Sequence, residues 1–184
     1  KKLLAEAGYP DGKGLPEIVH EIPESTTNRQ IAEHLQRCMA QIGIKIKIST
    51  NTWPELQKKV HTRSHMTYGM AWSADYPDAE NFLQLLYGPN KAPGANGANY
   101  DDPVFNKMFD EAKVMQDSPE RTELYKKINA YIGEQVPWIF GLHREDYTVT
   151  QAWLKNFKYT DFTHGREKYL NIDTAKKTEY LKKL

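Results

Sequence analysis

The sequence predicts an α/β fold: a mixed, mostly parallel sheet flanked by helices. Three observations carry this. A strand pattern over residues 17–22 precedes a helical stripe over residues 25–42, and a second strand pattern begins at Ile44. A helix of that length suits a crossover between parallel strands, which needs a dozen or more connecting residues. Further helical stripes recur around residues 104–112 and 124–132, as expected of helices covering a sheet. With 184 residues and 39% apolar content, the chain has enough material for the core of one α/β domain. One unit over residues 1–184 is therefore expected, with residues 153–184 as a tail whose packing the pattern leaves undefined.

The elements follow in order. Residues 2–7 have a helical pattern that closes at Gly8, and Pro10, Asp11, Gly12 and Gly14 form a turn-rich connection. In the long helix Ile31, Ala32, Leu35, Cys38, Met39 and Ile42 make the apolar stripe, and Gly43 is placed to take the left-handed conformation beyond its end. Ile44, Ile46 and Ile48 alternate with Lys45 and Lys47, the period of a half-buried strand. Thr52 and Glu55 form a capping box around Pro54 for a helix from Trp53 to Thr62. Residues 66–72 read as the next strand and residues 73–77 as irregular chain, followed by a short helix carrying Phe82, Leu83, Leu85 and Leu86.

Residues 88–99 are rich in Gly, Pro and Asn and read as a functional surface loop. Asp102-Pro103 and Ser118-Pro119 then open two helices. The apolar run at residues 136–142 reads as a buried strand. Beyond Trp153, the aromatic residues Phe157, Tyr159, Phe162 and Tyr169 suggest packing, and residues 176–184 a terminal helix.

Composition excludes several classes. Lys and Arg total 25 against 24 Asp and Glu, a net charge of +1, so no global field draws the chain to nucleic acid or an anionic membrane. The mean hydropathy of -0.74 describes a wet surface. No apolar run approaches the roughly 18 residues that cross a bilayer, so no direct membrane insertion is expected. Gly94-Ala95-Asn96-Gly97 lacks the lysine and following helix of a phosphate loop. The single cysteine, Cys38, excludes an internal disulfide and reads as a small buried hydrophobe. The chain opens Lys1-Lys2-Leu3 without methionine, which reads as a processed or excised sequence.

The residues from Trp72 to Asp78 are the most informative. Trp72-Ser73-Ala74-Asp75-Tyr76-Pro77-Asp78 sets two carboxylates and two aromatic rings on the loop leaving a strand, where open α/β sheets bind ligands. Asp75 there is suited to pair with a ligand ammonium, with the rings adding cation–π attraction. Equally, Asp75 suits a tight turn and Asp78 a helix cap. A carboxylate-based hydrolase using Asp75 and Asp78 is a rival, as is the neighbouring His143 and Asp146, but no nucleophile motif accompanies either pair. The segment His143-Arg144-Glu145-Asp146 reads as a solvated turn. His61 and His65 lie four apart at a helix end with no third ligand near, and His20 and His34 stand singly, so neither a metal nor a cofactor is expected.

These segments also carry a resemblance. Residues 2–12, Lys-Leu-Leu-Ala-Glu-Ala-Gly-Tyr-Pro-Asp-Gly, resemble the helix and turn that the bacterial oligopeptide/dipeptide-binding family (extracellular solute-binding protein family 5) carries before a lobe-II strand. Trp72 to Asp78 is similar to that family's tryptophan-x-x-aspartate-tyrosine loop. Asn99-Tyr100-Asp101-Asp102-Pro103 with Phe105, and Arg121 with Leu124-Tyr125, match two further motifs in the family's order. The resemblance implies a periplasmic-binding-protein-like fold, specifically the C-terminal lobe of a two-lobed, hinge-closing protein.

It further implies a non-catalytic component of an ABC importer, in the periplasm or as a cell-surface lipoprotein, that passes peptides to permease subunits. The implied partners are a peptide ligand, the N-terminal lobe and the permease. Asp75 would hold the ligand's α-amino group. Trp72 would lie on the segment that pairs with the ligand backbone, with Met70, Ser73, Ala74 and Tyr76 completing the ligand-binding set. Some members carry an arginine three positions before the tryptophan for a ligand carboxylate; Gly69 stands there in this chain, which leaves Arg63 or His61 as the alternative holders of that group. The family also includes carriers of nickel complexes, sugars and haem.

Overall fold

The computed structural model of the chain describes residues 1–143, 145, 147–160 and 165–182. The chain opens with α1 (Lys2–Glu6) and a 3-10 turn at Pro10–Gly12, then enters β1 (Ile18–Pro23). From there α2 (Thr26–Ala40) leads to β2 (Ile46–Asn51), and α3 (Trp53–His61) leads to β3 (Thr67–Tyr68). β1 is the central strand of a parallel sheet ordered β2-β1-β3. It pairs with β2 from Ile18 opposite Ile46 to Pro23 opposite Asn51, and with β3 only at His20–Thr67 and Glu21–Tyr68.

The local rules that build these elements are visible at their ends. Ser25 caps α2, its hydroxyl accepting the Asn28 N–H at 3.0 Å. Glu55 accepts both the Thr52 N–H and its hydroxyl, at 2.9 and 2.7 Å, closing the first turn of α3. Gly43 meets two demands: its φ is +86°, and a side chain there would collide with the Asp11 carbonyl of the preceding turn.

α2 and α3 both pack on β1 and β2, and Ile22, Ala32, Ile46, Leu56 and Val60 are buried there. The sheet also buries a charge. Glu21, 6% exposed, accepts hydrogen bonds from Lys59 Nζ at 2.9 Å and Asn51 Nδ2 at 2.7 Å. Burial is the largest influence on the Glu21 carboxyl and pushes its pKa up, but the bonds from Lys59, Asn51 and Ser49 together outweigh it and leave it below the usual value.

A second core is helical. After β3 the chain forms α4 (Glu80–Leu83), 3-10 turns at Gln84–Leu86 and Gly88–Asn90, α5 (Pro103–Val114) and α6 (Pro119–Gln135). Asp102 and Ser118 cap the last two, accepting the N–H of Phe105 and of Arg121. Phe105, Phe109 and Ala112 lie at helical spacing and bury against Leu83, Leu86, Ile128 and Ile132. Each phenylalanine contributes about 2–3 kcal/mol by burial. β4 (Leu154–Lys155) and β5 (Asn171–Ile172) form a small antiparallel pair, and α7 (Thr174–Leu181) follows.

Four expectations need correction. Residues 136–142 form no strand: Val136 ends α6 in the left-handed region, Trp138 packs against the helical core, and Val136, Ile139, Phe140 and Leu142 are exposed. Cys38 is exposed, since the face of α2 turned to the sheet runs through Ala32, Leu35, Gln36 and Met39 and leaves Ile31 and Cys38 on its flank. Residues 88–99 lie only partly on the surface: Pro89, Pro93, Gly94 and Ala95 are exposed, while Gly88, Ala92, Asn96 and Gly97 are packed inward. Asn96 is fully buried and donates to the carbonyls of Tyr87 and Tyr100; Asn99 accepts the Ala92 N–H; Gly97 lies against Val60 and Tyr68.

The fourth is the length of β3. Its ladder ends where the Gly69 N–H donates to the Glu21 carbonyl at 2.8 Å. The next rung would run from residue 23 to the Gly69 carbonyl, and Pro23 has no N–H to give. Residues 69–72, read as strand, therefore leave the sheet. In the tail Trp153 meets the Tyr180 ring and Lys155 pairs with Asp173, while Tyr159 and Tyr169 are exposed. Arg144, Asp146, Phe162, Lys183 and Leu184, on which sequence readings fell, lie outside the described residues. Among the described residues, no helix is long and apolar enough to cross a membrane.

Candidate functional site

The segment freed by Pro23 is the Trp72 loop. Among the described residues, the backbone N–H and C=O groups of residues 70–74 make no hydrogen bond to other backbone. Met70, Trp72 and Ser73 are exposed and Ala74 is half-buried. Asp75 and Tyr76 are also exposed, so their side chains are within reach of a ligand.

Side chains, not a ladder, hold this loop. The organiser is Asn81, in the first turn of α4 and 1% exposed. Its Oδ1 accepts the Trp72 indole N–H at 2.8 Å and the Asp75 backbone N–H at 3.1 Å, while its Nδ2 donates to Asp75 Oδ2 at 3.2 Å. Trp72 and Asp75 are thus brought together through a residue the sequence reading passed over. The available signal was an asparagine, a poor interior helix residue, placed directly before Phe82 and Leu83.

Asp78 faces elsewhere. Its Oδ1 accepts the Glu80 N–H at 2.9 Å, close to the cap role read from sequence, and both its oxygens receive the Arg121 guanidinium. Arg121 also donates to the Ala112 carbonyl and to the Tyr125 hydroxyl. These hydrogen bonds from Arg121 hold the Asp78 carboxyl below the usual range despite burial. Burial, with the Asp78 charge beside it, pushes the Tyr125 hydroxyl up to about 12. Tyr76 donates its hydroxyl to the Glu80 carboxylate. An open groove of about 660 Å³ runs along Asp78, Phe82, Arg121 and Tyr125, and neither Trp72 nor Asp75 lines it. Asp78 is thus paired with Arg121, and Asp75 is bonded through one oxygen to Asn81.

Several of the other polar candidates have structural partners. A side chain at Gly69 would press on the His20 ring. Arg63 donates to the Ala92 carbonyl, and His20 Nδ1 meets Thr67 Oγ1 at 3.0 Å. Burial holds the His20 pKa below its usual value against the opposing pull of Glu21. His65 lies against the Lys59 carbonyl and the Tyr68 ring, and His61 is exposed. His143 and Glu145 are exposed.

Parallel strands, covering helices and a tethered loop beyond the strand ends make up the fold of the periplasmic binding proteins. The peptide-bound "ABC transporter-associated periplasmic binding protein DppA" of Helicobacter pylori shares it, with a TM-score of 0.66 and 32% identity over 74% of this chain and 26% of that one. The chain belongs to the bacterial extracellular solute-binding proteins, family 5, whose middle-region model matches residues 1–94. It is 30% identical to di/tripeptide-binding protein 1 of Pseudomonas aeruginosa, covering 96% of this chain and 33% of that protein. It is 27% identical to heme-binding protein A of Haemophilus influenzae, covering 94% and 32%. The chain spans about one third of the length of the curated relatives it matches.

Proposed function

We propose that this chain is the C-terminal, ligand-contacting lobe of a substrate-binding component of an ABC importer. It binds di- or oligopeptides against an N-terminal lobe and delivers them to the permease subunits of a bacterial membrane, in the periplasm or as a cell-surface lipoprotein. The work is carriage, not catalysis. The observation that carries this reading is the Trp72 loop, where residues 70–74, without a backbone hydrogen-bond partner among the described residues, run into an exposed, anchored carboxylate at Asp75.

Backbone of this kind can pair with an extended peptide, giving affinity that tolerates varied side chains, while Asp75 meets the terminal ammonium. Trp72 and Tyr76, with Ser73 and Ala74 between them, flank the approach. A second lobe is supported by the exposed apolar residues Val136, Ile139, Phe140 and Leu142, a surface that would bury against another layer. The haem-binding relative supports a second reading, in which the same loop faces a non-peptide ligand such as haem; a nickel complex or a sugar is the corresponding alternative implied by the family resemblance.

Calorimetric titration of the two-lobed protein with short peptides separates the two. Binding of free-amine peptides that is lost on N-acetylation or in Asp75→Asn supports the peptide reading. Indifference to both changes would sink it and direct the search to the non-peptide ligands.

A further inference from the structure

We infer that Asn81 is the positioning residue that presents Asp75 to a ligand amine; this rests on the peptide reading of Asp75. The Asn81 carboxamide is used on both sides, Oδ1 taking the Trp72 indole N–H and the Asp75 backbone N–H, and Nδ2 giving to Asp75 Oδ2. Its orientation is fixed by chemistry. An indole and a backbone N–H only donate and a carboxylate only accepts, so oxygen and nitrogen of this amide are not interchangeable. A carboxamide is the group of this size that offers an acceptor and a donor together.

The consequence is an asymmetric carboxylate. Oδ2 of Asp75 is tied to Asn81, whereas Oδ1 receives no hydrogen bond among the described residues and is left to a ligand. Tethering removes the carboxylate's rotational freedom before binding, so less is lost when the ammonium arrives. Asn81 is itself fixed, since its backbone N–H donates to the Asp78 carbonyl at 3.2 Å and its carbonyl accepts from Gln84. The charges around it are Asp75, Asp78 paired with Arg121, and Glu80 bonded to Tyr76.

The test uses the two-lobed protein with trialanine and N-acetyl-trialanine as probes. Hydrogen exchange of the Trp72 indole N–H is followed by NMR, its signal assigned with Trp72→Phe. Asn81→Ala is expected to speed that exchange about tenfold or more and to weaken trialanine about tenfold, with N-acetyl-trialanine unchanged. Asn81→Asp is nearly isosteric and guards against a variant that fails to fold. Ionised, its new carboxyl keeps the acceptor half but repels Asp75; protonated, it regains the donor. Its affinity relative to wild type is therefore expected to recover as pH falls from about 7 toward 5, the neighbouring carboxylate having raised the new group's pKa.

Unchanged indole exchange in Asn81→Ala, or a wild-type pH profile in Asn81→Asp, overturns the inference. Loss of trialanine binding in Asp75→Asn without loss in Asn81→Ala overturns this inference alone. Full binding by Asp75→Asn overturns the peptide reading beneath it.

Discussion

Arg121 holds both carboxylate oxygens of Asp78, at 2.6 and 3.1 Å, across 43 residues of sequence. The pair joins α6 to the chain just before α4, so it fixes the platform from which Asn81 reaches the Trp72 loop. Asp78→Asn leaves a mostly buried guanidinium half-paired and is expected to cost about 2 kcal/mol at neutral pH. The folded carboxyl lies below its ordinary value of 3.8, so this stabilisation is present above that value and lost as pH falls through the lower, folded one. Urea unfolding of wild type and variant should show the gap at pH 7 and its closure in strong acid. Arg121→Lys is expected to behave like the loss, because an ammonium cannot supply two parallel bonds.

Lys59 and Glu21 make a comparable pair inside the sheet layer, but more deeply buried on the acidic side. Lys59→Met strands that carboxylate with only Asn51 and Ser49 as partners and is expected to cost about 3 kcal/mol at pH 7. Replacing Glu21 by Gln in the same chain should restore part of the loss, since no buried charge then remains. The Glu21 pKa is lowered in the fold, so the pair stabilises above the ordinary 4.5 and ceases to do so in acid. A double-mutant cycle by denaturant unfolding at pH 7 measures the coupling, and a coupling near zero would remove the pair from the account.

The contrast between these pairs and the helix caps explains what was readable in the sequence. Ser25, Thr52 with Glu55, Asp102 and Ser118 act within three residues of themselves, and the helices opened by the last three begin where the caps predict. The failures depend on distant residues. The end of β3 is set by Pro23, more than forty residues earlier; the exposure of Cys38 is set by which side of α2 the sheet occupies. An apolar run such as 136–142 carries no mark of what covers it. Asp75 and Trp72 were legible as candidates through their position and family resemblance, whereas Asn81 was not, because its meaning lies in three bonds that only the folded loop creates.

The inward packing within residues 88–99 makes Gly97 sensitive. A methyl group there would come within 2.6 Å of both Val60 Cγ1 and Tyr68 Oη, atoms of α3 and β3. Gly97→Ala is therefore expected to destabilise by about 1–3 kcal/mol through overpacking. A mobile surface loop would absorb the methyl group without effect. Thermal unfolding decides between them, and an unchanged midpoint would restore the surface reading.

Cys38 gives the opposite expectation. Its thiol is exposed on the flank of α2, with Sγ 3.5 Å from His34 Nε2 one turn away. Nothing packs tightly on it, so Cys38→Ser is expected to change stability by no more than about 0.5 kcal/mol. Reagent access should be as free in the folded state as in urea, because reaction requires exposure of the thiolate and no unfolding step intervenes. Iodoacetamide labelling followed by mass analysis, with and without denaturant, measures this directly. Equal rates place the thiol on the surface, whereas protection in the native state would mean that this flank of α2 is covered in the intact protein.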